Sequence, residues 1–305
     1  MPRPAPLARR CLPALIAVIV TLLTGAAPAP PLPSGAPALA DPRAQGAHVH
    51  QGLAFDTCLT PPLSTMRAWR ASPYGGRGRG CPRQPHLTAG WLRQVHAMGW
   101  RVLPVYVGTQ SPCVQAPYKR RYRLTGDPVQ TGAREGEDAV LRAQRLGMRE
   151  GSALYLDIES FAPVDGVCGR RTLDFVRAWS AAVRERGWLP GMYSSAESGV
   201  AMIEQARRDG VSGLPEVVWF ARWHDRGPAL EAEPVLARRA WWPHRRIHQY
   251  AGEVTEKYGG VELTVDRNAV DAPVAIVRAA RAPVWEELRK EPRKEPRKDL
   301  RRGRR

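Results

Sequence analysis

Residues Ser152–Ser160 read SALYLDIES, Leu189–Ser194 read LPGMYS and Val217–Trp223 read VVWFARW. Each is a short apolar run that turns polar at its C-terminal end, the pattern of a strand buried on both faces of a parallel sheet. Two segments of helical period lie between them. Arg171–Gly187 spaces Leu173, Val176, Trp179 and Val183 along one face, and Ala196–Asp209 reads as a second helix. The alternation extends towards the N-terminus as strand Gly52–Asp56, helix Leu87–Gly99, strand Trp100–Thr109 and helix Ala133–Gly147. Towards the C-terminus, strands Arg246–Tyr250 and Val261–Asp266 follow with little helical signal around them. Strand and helix in regular succession over roughly 230–250 residues predict an α/β fold of the TIM-like (β/α)8 barrel type, irregular in its later units. A doubly wound open sheet is the competing architecture, disfavoured because no GxGxxG follows the first strand.

The formal charge of +17 on 305 residues is unevenly placed. Residues 1–40 hold Arg3, Arg9 and Arg10 and no acid, then the apolar run Leu12–Leu23, then Ala38-Leu39-Ala40 before Asp41. Basic start, apolar centre and small-x-small end predict a signal peptide over 1–40, cut after Ala40. The apolar run is shorter than the roughly 20 residues a spanning helix needs. The mature protein is therefore expected to be secreted or cell-wall associated, with no membrane contact once the signal is cleaved. Residues 278–305 hold twelve basic and five acidic residues and include RKEPRKEPRKD at 289–299. Recurrent proline and the lack of apolar side chains within that repeat predict a disordered, basic, low-complexity tail that can cling to anionic envelope polymers. Nucleic acid is not an expected partner of an exported protein.

The segment 41–277 carries a net charge of only +7. A chain with 43% hydrophobic residues and ten Trp can bury a large core, which excludes coiled-coil and collagen-like classes. One globular domain, acting as a monomer, is expected here. After signal removal Cys58, Cys81, Cys113 and Cys168 remain, and an even number in an oxidising compartment predicts two disulfides. Three pairings are possible, and sequence order favours Cys58–Cys81 with Cys113–Cys168.

In a barrel of this kind the C-terminal ends of the strands build the active site. Polar residues stand at those ends: Asp56, Tyr106, Asp157, Glu159, Tyr193, Arg222, Gln249 and Asp266. In a strand, residues i and i+2 share a face, so Asp157 and Glu159 project together and Leu156 and Ile158 project oppositely. Adjacent acids repel and partial burial raises one of them, so one can donate a proton while the other stays charged, the division of labour glycosidases use. Trp219, Trp223, Trp241, Trp242, Tyr193 and Tyr250 suit a carbohydrate groove, and at least half of them are expected to be core instead. Tyr106, Tyr193, Arg222, Trp223, Gln249 and Tyr250 are the expected substrate contacts. His48-x-His50 precedes the first strand rather than ending it, and His244 and His248 read as structural, so neither a metal nor a cofactor is expected.

Several of these runs together resemble one family: Gly52–Cys58 (GLAFDTC), Trp69–Tyr74 (WRASPY), Leu154–Glu159 (LYLDIE), Tyr193-Ser194-Ser195, Trp219–Trp223 (WFARW), Gln249-Tyr250 and Val265–Asn268 (VDRN). That family is the actinobacterial secreted glycoside-hydrolase-like domain family, which in turn is similar to the family-25 glycoside hydrolases, lysozyme-type muramidases on a (β/α) barrel. The similarity covers about residues 47–273. It implies that Asp157 and Glu159 carry catalysis, that Asp56 and Asp266 on the first and last strands shape the site, and that the substrate is a sugar polymer. The chain departs from the family where a strand of the kind VGVYIGG is expected. Here the stretch is Gly75-Gly-Arg-Gly-Arg-Gly80, too short and glycine-rich for a buried strand, so the second barrel strand is expected to be degenerate.

Two functional readings follow. The first is a glycoside hydrolase acting on cell-wall glycan by carboxylate acid/base catalysis. Glu159 would be the general acid, Asp157 the stabiliser of positive charge, and Asp56 and Asp266 would tune both. The second is a non-catalytic carbohydrate-binding protein of the cell envelope that keeps the groove without turnover.

Overall fold

The computed structural model of the protein describes residues 39–79, 84–162, 164–223 and 227–278. The expected leader (1–40) and tail (278–305) fall outside the described residues except at their inner edges.

The expected alternation is present. In chain order the elements are β1 (Val49–Thr57), α1 (Leu63–Ala68), β2 (Tyr74–Arg79), α2 (Ala89–Ala97), β3 (Arg101–Val102), β4 (Val105–Val107), α3 (Pro128–Arg145), β5 (Ala153–Asp157), α4 (Gly166–Glu185), β6 (Leu189–Ser195), α5 (Ala201–Arg208), β7 (Val217–Ala221), β8 (Arg246–Tyr258) and β9 (Val261–Pro273). Helix starts follow local chemistry. The Thr88 hydroxyl accepts the Trp91 amide at 3.1 Å, and the Asp127 carboxylate accepts the Gln130 amide at 2.7 Å with Pro128 next to it. A side-chain cap and an N1 proline open a helix, which is why α3 begins at Pro128 and not at the expected Ala133.

The strands form one curled, mixed, nine-stranded sheet in the order β3-β2-β1-β9-β8-β7-β6-β5-β4. Neighbours are parallel except β9, which runs antiparallel to both β8 and β1. The two ends of this order, β3 and β4, are consecutive pieces of chain separated by Leu103-Pro104. Proline has no amide to give to a ladder, and here only its carbonyl serves, accepting the Tyr155 amide at 2.9 Å. The later part of the chain is irregular: among the described residues no helix follows β7, and β8 and β9 form a long hairpin.

One expectation is corrected. The stretch Tyr74–Arg79 is a strand, β2, paired in parallel with β1 and β3. The glycines make room rather than breaking the strand. A Cβ on Gly75 would lie 2.7 Å from the His50 imidazole of β1, and one on Gly76 would lie 3.1 Å from it. The ring therefore occupies the space that side chains of β2 would fill, and the main-chain ladder needs no side chains.

Side chains of β5 alternate between two cores. Leu154, Leu156 and Ile158 pack with Val176, Trp179 and Val183 of α4 on the outside of the sheet. Tyr155 packs with Ala54, Trp219, Ile247 and Val270 inside its curl. Each large apolar side chain buried this way contributes about 1.5–3 kcal/mol. On the helical side α3 touches α4 through glycines, since a Cβ on Gly136 would lie 2.7 Å from the Trp179 carbonyl oxygen. Cys113 and Cys168 are disulfide-bonded, which ties the segment after β4 to α4. Cys58 is also disulfide-bonded, and Cys81 lies outside the described residues.

Candidate active site

At the C-terminal ends of the strands the curled sheet holds a cavity of about 330 Å³. The two-residue period of β5 delivers Asp157, from the inward face, and Glu159 just beyond the strand end, and both line it. Their backbone is clamped by fully buried Gln110, whose amide donates to the Asp157 carbonyl at 2.9 Å and accepts the Glu159 amide at 2.9 Å. Asp157 is buried and Glu159 half-buried.

Between the two carboxylates stands a residue that the sequence did not point to. Lys119 Nζ lies 2.8 Å from Asp157 Oδ2 and 3.1 Å from Glu159 Oε1, and the lysine is 5% exposed. It comes from a 3₁₀ turn, Pro117–Tyr122, between β4 and α3. That turn is anchored by the Gln110 amide on the Tyr122 carbonyl, the Gln115 amide on the Ser160 carbonyl and the Cys113–Cys168 disulfide. Burial pushes the Asp157 carboxyl up to about 7, the Glu159 charge adds to this, and Lys119 opposes it. Burial also works against the Lys119 charge, but the two carboxylates outweigh it and hold the ammonium above its ordinary range. Asp157 Oδ1 is buried with no hydrogen-bond partner among the described residues.

The opposite wall comes from β1, β8 and β9. Asp56 and Asp266 face each other in register across the β1–β9 ladder. Asp56 Oδ2 accepts from Asn268 Nδ2 at 2.8 Å and Gln249 Nε2 at 3.0 Å. Gln249 Oε1 in turn accepts the Tyr193 hydroxyl and the Trp223 indole, each at 3.0 Å. Asn268 Oδ1 accepts the Trp219 indole at 2.8 Å. Burial raises Asp266, the amide of Glu253 counteracts this, and the charge of Glu253 adds to the rise. Glu253 lies in an irregular part of the β8–β9 ladder with φ +57°, and its side chain also lines the cavity. A bulge of this kind re-aims side chains.

The structure thus brings Asp56, Asp157, Glu159, Asp266, Tyr193, Gln249 and Trp219, one of the groove aromatics, to one cavity, together with Lys119 and Glu253, which sequence reasoning missed; Asn268, also missed, supports Asp56 and Trp219. Three of the expected substrate contacts lie elsewhere in the structure. Tyr106 faces α3, where its hydroxyl donates to Asp138 at 2.9 Å, while Val105 and Val107 line the cavity. Tyr250 is adjacent to inward-facing Gln249 and so takes the other face of β8, beside His248. Arg222 is held at 2.7 Å by both Glu233 and Glu197, outside the cavity. Trp223 stands at the rim, exposed, bonded to Gln249 and packed against Gly252. Two of the histidines have structural partners: His244 with Asp271 at 2.6 Å, and His248 with the carbonyls of Ala229 and Arg222. Among the described residues no group of three or more His, Cys, Asp and Glu side chains gathers as a metal site, and no helix is long and apolar enough to cross a membrane.

An uncharacterized protein of B. stearothermophilus solved at 1.07 Å is 19% identical over 72% of this chain and 95% of its own, with a TM-score of 0.48. The catalytic domain of endolysin ply40 from bacteriophage P40 of Listeria monocytogenes is 15% identical over 72% of this chain and 93% of its own, with a TM-score of 0.43. The Clostridium perfringens spore cortex lytic enzyme SleM is 13% identical over 72% of this chain and 67% of its own, with a TM-score of 0.42. No curated protein matches the chain. The model of the Rv2525c-like, glycoside hydrolase-like domain matches residues 67–270, more than half of the sequence, and the chain belongs to that family.

Proposed function

We propose that the protein is a secreted, cell-wall-associated glycoside hydrolase that cleaves a wall glycan by carboxylate acid/base chemistry. The observation that carries this reading is the placing of Asp157 and Glu159 in one cavity, opposite Asp56 and Asp266. In this reading β3 and β4 act as one interrupted strand that completes a TIM-like barrel, so all four acids sit at its open end.

Glu159 is the more accessible member of the pair and gives its proton to the leaving oxygen as the anomeric C–O bond breaks. Asp157, buried below it, stabilises the positive charge that develops on the sugar ring. Lys119 offsets part of the charge of both carboxylates, and a substrate hydroxyl or the proton on Glu159 must displace its contact there. Asp56 and Asp266, cross-linked through Gln249, orient the water or the sugar on the far wall.

A non-catalytic carbohydrate-binding role is the second reading, favoured by the same Lys119: a carboxylate held in an ion pair is a poor proton donor. The two are separated by incubating the protein with purified peptidoglycan and with arabinogalactan-type polymers and measuring new reducing ends. Cleavage by the wild type, lost in Glu159→Gln with binding retained, supports the hydrolase. Binding without any cleavage by the wild type leaves the second reading in its place.

A further inference from the structure

One wall of the cavity differs in chemistry from the rest. Acids supply the floor and the β8–β9 side, whereas the turn Pro117–Tyr122 contributes Tyr118, Lys119, Arg121 and Tyr122. The two cations have different situations. Lys119 is buried and committed to Asp157 and Glu159. Arg121 is exposed, lines the same cavity, and pairs with none of its carboxylates; its guanidinium lies 4.8 Å from the centre of the Tyr122 ring. Elsewhere arginines near an acid are engaged with it, as in Arg207–Glu204, Arg222–Glu233 and Arg267–Glu256. An arginine that lines an acidic cavity without pairing with its carboxylates, and that rests near an aromatic ring, keeps its donor groups for a ligand.

The aromatic side chains agree. Among the described residues the exposed large aromatics are Tyr118, Tyr122 and Trp223. The tyrosines line the cavity beside Arg121, and Trp223 stands across from them on Gln249. Exposed rings placed this way stack on sugar faces, and a guanidinium fork between them matches a carboxylate in two parallel hydrogen bonds.

We propose that the Pro117–Tyr122 wall selects a glycan whose sugars carry a carboxylate, with Arg121 as the specificity-determining residue. This rests on the glycan reading above for the class of ligand, and adds the acidic substituent and the residue that reads it. The acidic floor orients such a ligand: the carboxylate is repelled by Asp157, Glu159 and Glu253 and drawn to Arg121 at the mouth, which leaves the neutral glycosidic bond over the acids.

The test uses the full chain and carboxylate-bearing oligosaccharides released from bacterial cell wall, with a matched sample whose carboxylates have been reduced to alcohols. Calorimetric titration should give the wild type roughly tenfold tighter binding to the carboxylated sample, the size of a charge-assisted contact. In Arg121→Gln that preference should vanish while affinity for the reduced sample is unchanged, and Arg121→Lys should recover only part of it. Equal affinity of the wild type for both samples, or a preference that survives in Arg121→Gln, overturns the proposal and leaves the glycan reading standing. Binding of neither sample to the wild type defeats the glycan reading and this inference with it.

Discussion

The Lys119 ammonium lies 2.8 Å from the Asp157 carboxylate, both side chains almost wholly removed from solvent. A buried pair is weak evidence of net stabilisation, yet removing one partner is expensive because the other charge is stranded. Lys119→Met should therefore destabilise the protein by about 3–5 kcal/mol at pH 8, where Asp157 is ionised, and by clearly less at pH 5. Urea unfolding at the two pH values checks this; an equal loss at both would show that the lysine acts through packing alone.

Asp157 has a consequence of its own for pH. Its folded-state value of about 7 lies above the ordinary 3.8, so the native state holds a proton that the unfolded chain has released. Stability from this group is present below the ordinary value and declines as pH rises from about 4 to about 7, by up to about 1.4 kcal/mol per pH unit. Asp157→Asn removes the titrating group and should flatten the pH dependence of the unfolding free energy across that window. Parallel curves for the two proteins would contradict the assignment.

Gln249 holds the far wall together, since it donates to Asp56 and accepts from Tyr193 and Trp223. Gln249→Leu leaves those groups short of a partner in a half-buried setting, each at about 1–3 kcal/mol when fully unmet. With Asn268 still serving Asp56, a net loss of about 2–4 kcal/mol in thermal unfolding is expected, accompanied by a change in near-ultraviolet dichroism from the released Trp223. A loss below about 0.5 kcal/mol would mean that water replaces the amide freely.

The packing of β2 gives a compensating pair. A methyl group on Gly75 would meet the His50 ring at 2.7 Å, so Gly75→Ala should cost about 1–3 kcal/mol by overpacking. In a His50→Ala background the same change should cost little. A double-mutant cycle measures the coupling, and strict additivity would place the strain somewhere other than this contact.

Much of this protein was legible in its sequence, for reasons tied to period. The two-residue repeat of Leu154–Glu159 fixes Asp157 and Glu159 on one face and Leu156 and Ile158 on the other, wherever the strand lies. The same rule forbids Gln249 and Tyr250 from both entering the cavity, and choosing between them needs the phase of β8, which a single strand does not carry. Tyr106 was misplaced for a related reason: the break at Leu103-Pro104 splits its strand between two neighbours, and the face is set by pairing with β5. The β2 strand looked degenerate because its glycines leave no pattern, while the side chain that fills their space, His50, lies on β1.

Local sequence specified the elements, the alternation of strand and helix, and the acidic pair, because these depend on residues a few positions apart. The identity of the acids' partner, the exposed guanidinium of Arg121 and the lattice of Gln249, Asn268 and Asp56 depended on the tertiary structure. The Lys119–Asp157, Gln249–Asp56 and Asn268–Asp56 contacts join residues 38, 193 and 212 positions apart, brought together by the curl of the sheet and by a turn tied to α4 through Cys113–Cys168. Coulombic and hydrogen-bond energies depend on distance in space and on burial, and neither is encoded in spacing along the chain.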